Sequence, residues 1–435
     1  VTRIFLFLLL LACSLAVSAA YPSFQTLIDA TPTGGTLHPK PGVYAGPALI
    51  SRQIIVDGGS KVTVDGGGTG SVLVINANGA VVRGLRLTNS GSSHDRLDSG
   101  IALTGNGNSI EDNVIDGTLF GISLKQANQN TLRRNRIRSK PAELAMRGEA
   151  IRLWYSMDNL VEGNDIDQAR DVTLMNSPRN RLIGNLIRNS RYGIHLFFSP
   201  DSVVESNHLD HNATGVIVLN SDRVKLLRNR IFHSLGVSGA GLAFKMSAEG
   251  LAEGNEVVHC AVGVLADSPI EPADKTILRG NRFAHNAIGI QFTGERGGHV
   301  LHGNSFESNL THVAMMFGSG DAGKNDWRGN YWDDYQGFDR NHDGIGDTPY
   351  DIYAYADRIW MEIPQARFFR NSPVLELLDF LERLAPFSAP DMLLRDPAPL
   401  FNKPVTHPPV NRRSAIDRPD FGRWPWRIAT HGQPC

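Results

Sequence analysis

The sequence predicts an all-β fold, a right-handed parallel β-helix of three-strand coils, each of about 22 residues. Three observations carry that expectation. First, the stretch from Asn185 to Asn229 holds two successive units, NLIRNSRYGIHLFFSPDSVVES and NHLDHNATGVIVLNSDRVKLLR, each 22 residues long. In both, an aliphatic residue follows the Asn by two places (Ile187, Leu209), and a Gly eight places on opens an apolar-x-apolar triplet (Gly193-Ile194-His195-Leu196, Gly215-Val216-Ile217-Val218). Second, these marks recur along the middle of the chain. The Asn returns at Asn113, Asn135, Asn164, Asn185, Asn207, Asn229, Asn255, Asn281, Asn304 and Asn330, and the steps are 21 to 23 residues in five of nine cases and 26 or 29 in the rest. Third, each unit carries three short runs of alternating apolar residues broken by Gly, Asn, Asp and Ser, which is strand and turn chemistry; runs of helical period are missing. Self-similarity at a fixed period marks a repeat architecture. Coils stack about 4.8 Å apart, so about ten to twelve of them give a rod on the order of 50 Å long.

Each element follows in chain order. Residues 1–20 read as a signal peptide: Arg3 is the positive end, Ile4 to Val17 is apolar, and Ser18-Ala19-Ala20 offers small residues for cleavage. Leu10-Leu11-Ala12-Cys13 also resembles a lipoprotein cleavage box, but the apolar stretch runs on past Cys13, which favours ordinary cleavage. Export follows, and the mature chain keeps Cys260 and Cys435, free to pair or to bind metal. Residues 21–330 form the β-helix. Phe24 to Ala30 reads as a short capping helix, because solenoid ends need covering. Units longer than 22 residues take their extra length at one turn, at Gly91 to Ser99, Lys140 to Glu149 and Ser234 to Ala240. Insertions on one side of a repeat protein mark a binding face or merely tolerated loops. Residues 331–370 form an acidic, aromatic capping segment. Residues 371–435 hold a helix, with Ser372 as N-cap and Pro373 at its first position, and then a tail with ten prolines from Pro386 on. The helix is too apolar for a solvated one.

The Asn column (Asn113, Asn135, Asn164, Asn185, Asn207, Asn229, Asn255, Asn281 and Asn304) reads as a structural ladder: Asn tolerates a left-handed turn, and its amide can bond the Asn of the next coil. Four places after the Asn, His211, His233, His259 and His285 fall in consecutive coils, with Cys260 beside His259. A column of imidazoles with a thiol beside it can bind a soft or borderline metal, copper among them, or else is a polar turn column that stacks without metal. Met246, Met315, Met316, His299, His302 and His312 lie in the same half and add donors. Asp339, Asn341, Asp343, Ile345 and Asp347 place oxygens at every second position with Gly344 at the turn, a pattern that can wrap calcium; the twelfth position is Tyr350 rather than Glu, so it is not a complete EF-hand loop. Net charge is −1 with 20% charged residues and no basic stripe, which argues against nucleic acid as a partner. Asp165 and Asp167 are the nearest approach to a catalytic acid pair, and a basic residue one coil away is not evident.

The leader, the Asn/Gly coil repeat, the segment GNYWDDYQGFDRNHDGIGDTPY and the helix-plus-tail ending together resemble the NosD family of nitrous oxide reductase maturation. The resemblance spans essentially the whole mature chain, and the GNYW to GDTPY segment is its most specific part. It implies a pectin-lyase-like β-helix and a non-catalytic periplasmic subunit, held at the inner membrane by an ABC-type permease and ATPase. It also implies contact with a membrane-anchored copper chaperone and with nitrous oxide reductase, in building the copper–sulfur centre. The alternative is a secreted polysaccharide-binding protein or lyase.

Overall fold

The computed structural model describes residues 21–236, 239–267, 275–293, 297–315, 322–353 and 392–404. The signal peptide, the helix expected from Pro373, Met316, Cys435 and the tail after residue 404 lie outside the described residues. The chain divides into two compact units, Val1–Ser199 and Pro200–Cys435. Both are parallel β-solenoid, as the repeat predicts.

In the first unit a seven-residue helix, Phe24–Ala30, buries Phe24 and Ile28, and the Ser23 hydroxyl caps it by accepting from the Thr26 N–H. Each coil then has two short strands meeting at a bend and one longer strand after a turn. One coil illustrates the rule: Thr131–Arg133, Arg136–Ser139 and Ile151–Trp154 pair in parallel with Leu160–Glu162, Asp165–Asp167 and Asp171–Met175 of the coil that follows. The register puts like on like. Leu132 stands on Val161, Ile137 on Ile166, Ile151 on Val172 and Leu153 on Leu174, all at most 1% exposed. Burying each such side chain contributes roughly 1.5–3 kcal/mol. The second unit repeats the pattern, with long strands Thr214–Leu219, Ala240–Lys245, Val262–Asp267, Ile288–Thr293 and Thr311–Met315.

The expected ladder is present in each unit. The Asn135 backbone N–H donates to Asn164 Oδ1 (2.9 Å); its side-chain Nδ2 donates to the same oxygen (3.1 Å) and to the Ile110 carbonyl (2.8 Å). Asn113, Asn164, Asn229, Asn255, Asn281 and Asn304 repeat this triple bond. One part of the expectation needs correcting. The left-handed residue at this bend is not the Asn but the residue before it: Asp112, Arg134, Gly163, Gly184, Ser206 and Arg228 all have φ between 52° and 63°. The Asn itself turns its amide inward, where burial makes every unpaired polar atom costly.

Two further polar devices appear. Asn108, Asn130, Asn159 and Asn180 form a second buried ladder in the first unit, each donating to the next at 2.8 to 3.1 Å. In the second unit the main ladder ends on Asp396, fully buried on the strand Met392–Asp396, which pairs antiparallel with Tyr350–Tyr353. Its carboxylate accepts from the Asn330 N–H (2.9 Å), Asn330 Nδ2 (3.0 Å), the Gly329 N–H (3.2 Å) and Trp332 Nε1 (3.2 Å). Trp332 lies stacked between Phe306 (4.3 Å) and Tyr350 (4.5 Å). The GNYW segment therefore closes the core of this unit.

Replacing Asn255 by Ala takes the acceptor from the buried Asn229 N–H and the side-chain donor from the Leu226 carbonyl, while Asn281 Oδ1 keeps only the backbone N–H of residue 255. At about 1–3 kcal/mol for each orphaned group, unfolding in guanidinium should show a loss of at least about 2 kcal/mol. A loss below about 0.5 kcal/mol would mean the ladder is ornamental.

Candidate functional site

In seven coils the turn that follows the strand after the ladder Asn has a non-glycine residue at positive φ. In successive coils that place is held by Gln168, Asn189, His211, His233, His259, His285 and Ser308, with φ between 48° and 56°. Histidine is among the few non-glycine residues enriched in this region. The backbone therefore permits histidine at this corner, and the parallel register brings the rings together. In the second unit, His211 and His233 stack at 4.5 Å, His233 and His259 at 5.6 Å with rings 3° from parallel, and His259 and His285 at 5.2 Å. His211, His259 and His285 are exposed and His233 half-buried.

At one end of this column Asp210 adds a carboxylate. Its Oδ1 lies 2.8 Å from His211 Nδ1 and 2.8 Å from His233 Nδ1. Burial pushes the Asp210 carboxyl up, but the His233 hydrogen bond and the charge of both imidazoles outweigh it and hold the group below its ordinary value. Asp210, His211 and His233 offer three ligand atoms within 4.8 Å of one another, close enough to share one ion. Two imidazoles and a carboxylate suit a borderline divalent ion, and the imidazoles alone suit cuprous copper.

Cys260 does not join them, contrary to the sequence expectation. The residue after each left-handed corner turns inward, so Cys260 shares a buried column with Asn212, Ser234 and Asn286. It is 2% exposed, and burial pushes its thiol up to about 11, so no thiolate faces the imidazoles. The remaining donors are also dispersed. His299 is buried, with its imidazole pushed down to about 4 by that burial, and its Nε2 lies 3.0 Å from the Asp267 carbonyl. His302 pairs with Asp326, Met315 is buried, and Met246 is exposed. Asp165 pairs with Arg188 at 2.9 Å, and Asp167 stands in register between Arg138 and Arg188. The basic neighbours that the sequence did not reveal are there, and they make this pair part of a surface charge lattice.

In the acidic segment, Asp339, Asn341, Asp343 and Asp347 turn their oxygens onto the turn's own backbone. Asp339 accepts from the Gly344 N–H (2.9 Å), Asp343 from the Ile345 N–H (2.8 Å) and Asp347 from the Arg340 N–H (2.8 Å). Gly344 supplies the positive φ (83°) that closes the turn.

Comparison with known proteins now bears on this geometry. The chain is 30% identical over 382 residues to the "Probable ABC transporter binding protein NosD" of Pseudomonas aeruginosa, an alignment covering 84% of this chain and 88% of that one. The chain belongs to the NosD family. The family profile, described as "Periplasmic copper-binding protein (NosD)", matches residues 137–337, a stretch that includes the whole imidazole column. The NosD protein of Stutzerimonas stutzeri is 34% identical over 129 residues, or 29% of either chain. Among solved structures, the A-module of a mannuronan C-5 epimerase from Azotobacter vinelandii is 15% identical with a TM-score of 0.41, covering 67% of this chain and 90% of that one. The periplasmic alginate epimerase AlgG is 15% identical with a TM-score of 0.39, covering 75% of each. Among the described residues no helix is long and apolar enough to cross a membrane.

His312 shows a different use of imidazole. It is 8% exposed, packed at 6.0 Å from Phe306 and 5.8 Å from Trp332, with Nε2 at 3.1 Å from Asp333 and 3.4 Å from Asp334. Burial opposes charge on the ring, but hydrogen bonds to and the charge of Asp333 and Asp334 win and push it up to about 9. A raised folded-state pKa contributes stability that is fully present below the unfolded value of about 6.5 and lost as pH rises through about 9. The melting temperature should therefore fall between pH 6.5 and 10 more steeply in the wild type than in His312→Gln. Parallel pH profiles would show that the pair carries no net coupling.

Proposed function

We propose that this chain is the periplasmic subunit of an ABC-transporter-linked machinery that matures nitrous oxide reductase, and that it handles copper for the reductase's copper–sulfur centre. Membership in a periplasmic copper-binding family supports this reading, as does the name of its relative, a probable ABC transporter binding protein. The observation that carries it to particular residues is the convergence of Asp210, His211 and His233 at the head of the stacked column. Copper is cargo here rather than a resident cofactor. A shallow site of two imidazoles with a carboxylate held between them binds an ion firmly enough to take it from a chaperone. It also leaves coordination positions open for the acceptor, whereas a closed four-ligand cage would retain the ion. His259 and His285 continue the column and give the ion further imidazoles along the same corner. The partners in this reading are an ABC-type permease and ATPase at the inner membrane, a membrane-anchored copper chaperone, and nitrous oxide reductase. The chain acts as a binding protein and performs no chemistry of its own on a substrate.

Replacing His211 and His233 together by Asn keeps a residue that tolerates the left-handed corner, as Asn189 already does in the first unit, while removing both imidazoles. Cuprous copper affinity of the purified full chain should fall at least tenfold with an unchanged melting temperature, and reductase matured beside this variant should lack its copper–sulfur centre. Unchanged affinity with normal maturation would mean that the chain only docks its partners.

The acidic turn is proposed as a calcium site that fixes the end of the second unit. Three carboxylates and Asn341 gather on one short turn, and the same turn is tied to the closing segment by the Gly346 N–H on Pro399 (2.8 Å) and the Phe401 N–H on Gly344 (2.9 Å). Adding calcium to chelator-treated protein should raise its melting temperature, and Asp343→Ala should abolish the increment. Equal melting with calcium and with chelator rules the site out.

A further inference from the structure

The outward side of the long-strand face in the first unit carries a polar cluster that the fold leaves incomplete. Ser123, Arg152, Thr173 and His195 stand in register on successive coils. Glu149 and Asp171, 8% and 1% exposed, lie beside them where the long strands begin. Arg170 pairs with Glu149 and comes within 3.7 Å of Asp171. Arg191 pairs with Asp171, whose Oδ1 also accepts from the Tyr192 N–H at 2.9 Å. Five buried atoms here have no hydrogen-bond partner: Glu149 Oε2, Arg152 Nη1, Arg170 Nε, Thr173 Oγ1 and His195 Nε2. Buried polar atoms are nearly always paired, so five orphans on one face call for a ligand rather than a packing account. Glu149 and Thr173 are themselves more than nine-tenths buried.

The donor set specifies the ligand's chemistry. Three guanidinium groups face two carboxylates, and burial holds the His195 imidazole below its ordinary value, with Arg191 adding to the effect against the opposing pull of Asp171 and Glu149. Positive charge is therefore in excess, and the Lys125 ammonium over Trp154 adds to it, which suits an anion. The orphan N–H groups of Arg152 and Arg170 are donors of the kind that receive a carboxylate. The orphan oxygen of Glu149 accepts only, so it needs a donor on the same ligand, and a hydroxyl is the simplest one. Thr173 and His195 can serve a second hydroxyl in either sense. Beside the cluster, Trp154 lies under Lys125 (5.3 Å) and Arg152 (5.8 Å), and Tyr192 under Arg191 (4.5 Å), so the cations are held against aromatic rings. We propose that this face binds a hydroxylated carboxylate of sugar-acid type, its carboxylate on Arg152 and Arg170 and a hydroxyl on Glu149. The site lies on the first unit and shares no residue with the imidazole column of the second. The ligand can be a free acid or one uronate unit of a polymer.

Calorimetric titration of the full chain tests this, with D-glucuronate, a uronate hexamer, D-glucose, acetate and inorganic phosphate as probes. Glucuronate or the hexamer should bind at least tenfold more tightly than glucose, which lacks the charge, and than acetate, which lacks the hydroxyls. Tighter binding of the hexamer identifies a polymer, and equal binding identifies the free acid. Arg152→Gln should weaken glucuronate at least tenfold, and Glu149→Gln should reduce its advantage over acetate. If Arg152→Gln does not fold, Thr173→Val serves in its place. No binding of either uronate up to about 10 mM, phosphate binding more tightly than both, or unchanged affinity in the folded variants overturns the proposal.

Discussion

Everything in this protein depends on keeping buried asparagine amides paired. A parallel coil must bend sharply between its first two strands, and the bend turns a polar side chain into an aliphatic interior. Left alone there, one amide costs as much as a well-packed leucine contributes. The solution is translational: each amide takes its partner from the same position one coil on, so the penalty is met only if every coil keeps register. The ladder thus converts a local defect into a long-range constraint. That constraint lets side chains at any outward position line up into columns without further specification.

The imidazole column follows from that. Its positions are set by a backbone demand for positive φ, which Gln, Asn, Ser and His all meet in this chain. Four consecutive histidines are more than the backbone asks for, since Asn189 serves as well. Asp210 lies next to the corner, and its oxygen reaches the Nδ1 atoms of two coils at once. The turn geometry and the metal chemistry are therefore compatible uses of the same residues: the fold supplies the spacing, and the choice among permitted residues supplies the ligands.

Much of this was legible in the sequence because the repeat transmits it. The period gave the coil, the Asn positions gave the ladder, and a constant offset of four residues gave the histidine stack. What stayed hidden is what the repeat does not carry. Cys260 adjoins a histidine in sequence, but the left-handed corner between them sends the two side chains to opposite sides of the wall. The second ladder is written as Asn-x4-Asn at Asn108, Asn130, Asn159 and Asn180, yet it holds for four coils only. The buried polar cluster had a signal too: Ala150 and Asp171 stand where the neighbouring units have Gly, departures from consensus that mark where charged groups are held. Asp396 could not be foreseen, because it reaches the ladder from more than sixty residues away.

That last residue gives the column a direction and an end. Within each unit a ladder Oδ1 accepts from the Asn of the preceding coil, and the Asn passes its backbone N–H and one side-chain bond to the Oδ1 of the following coil while its Nδ2 also holds a carbonyl behind it. Asp396 receives and has nothing to give. An asparagine in its place would bring two more N–H groups into a buried spot already crowded by the donors of Gly329, Asn330 and Trp332. A carboxylate closes that account with lone pairs only. The ladder stops there, inside the core rather than at its surface.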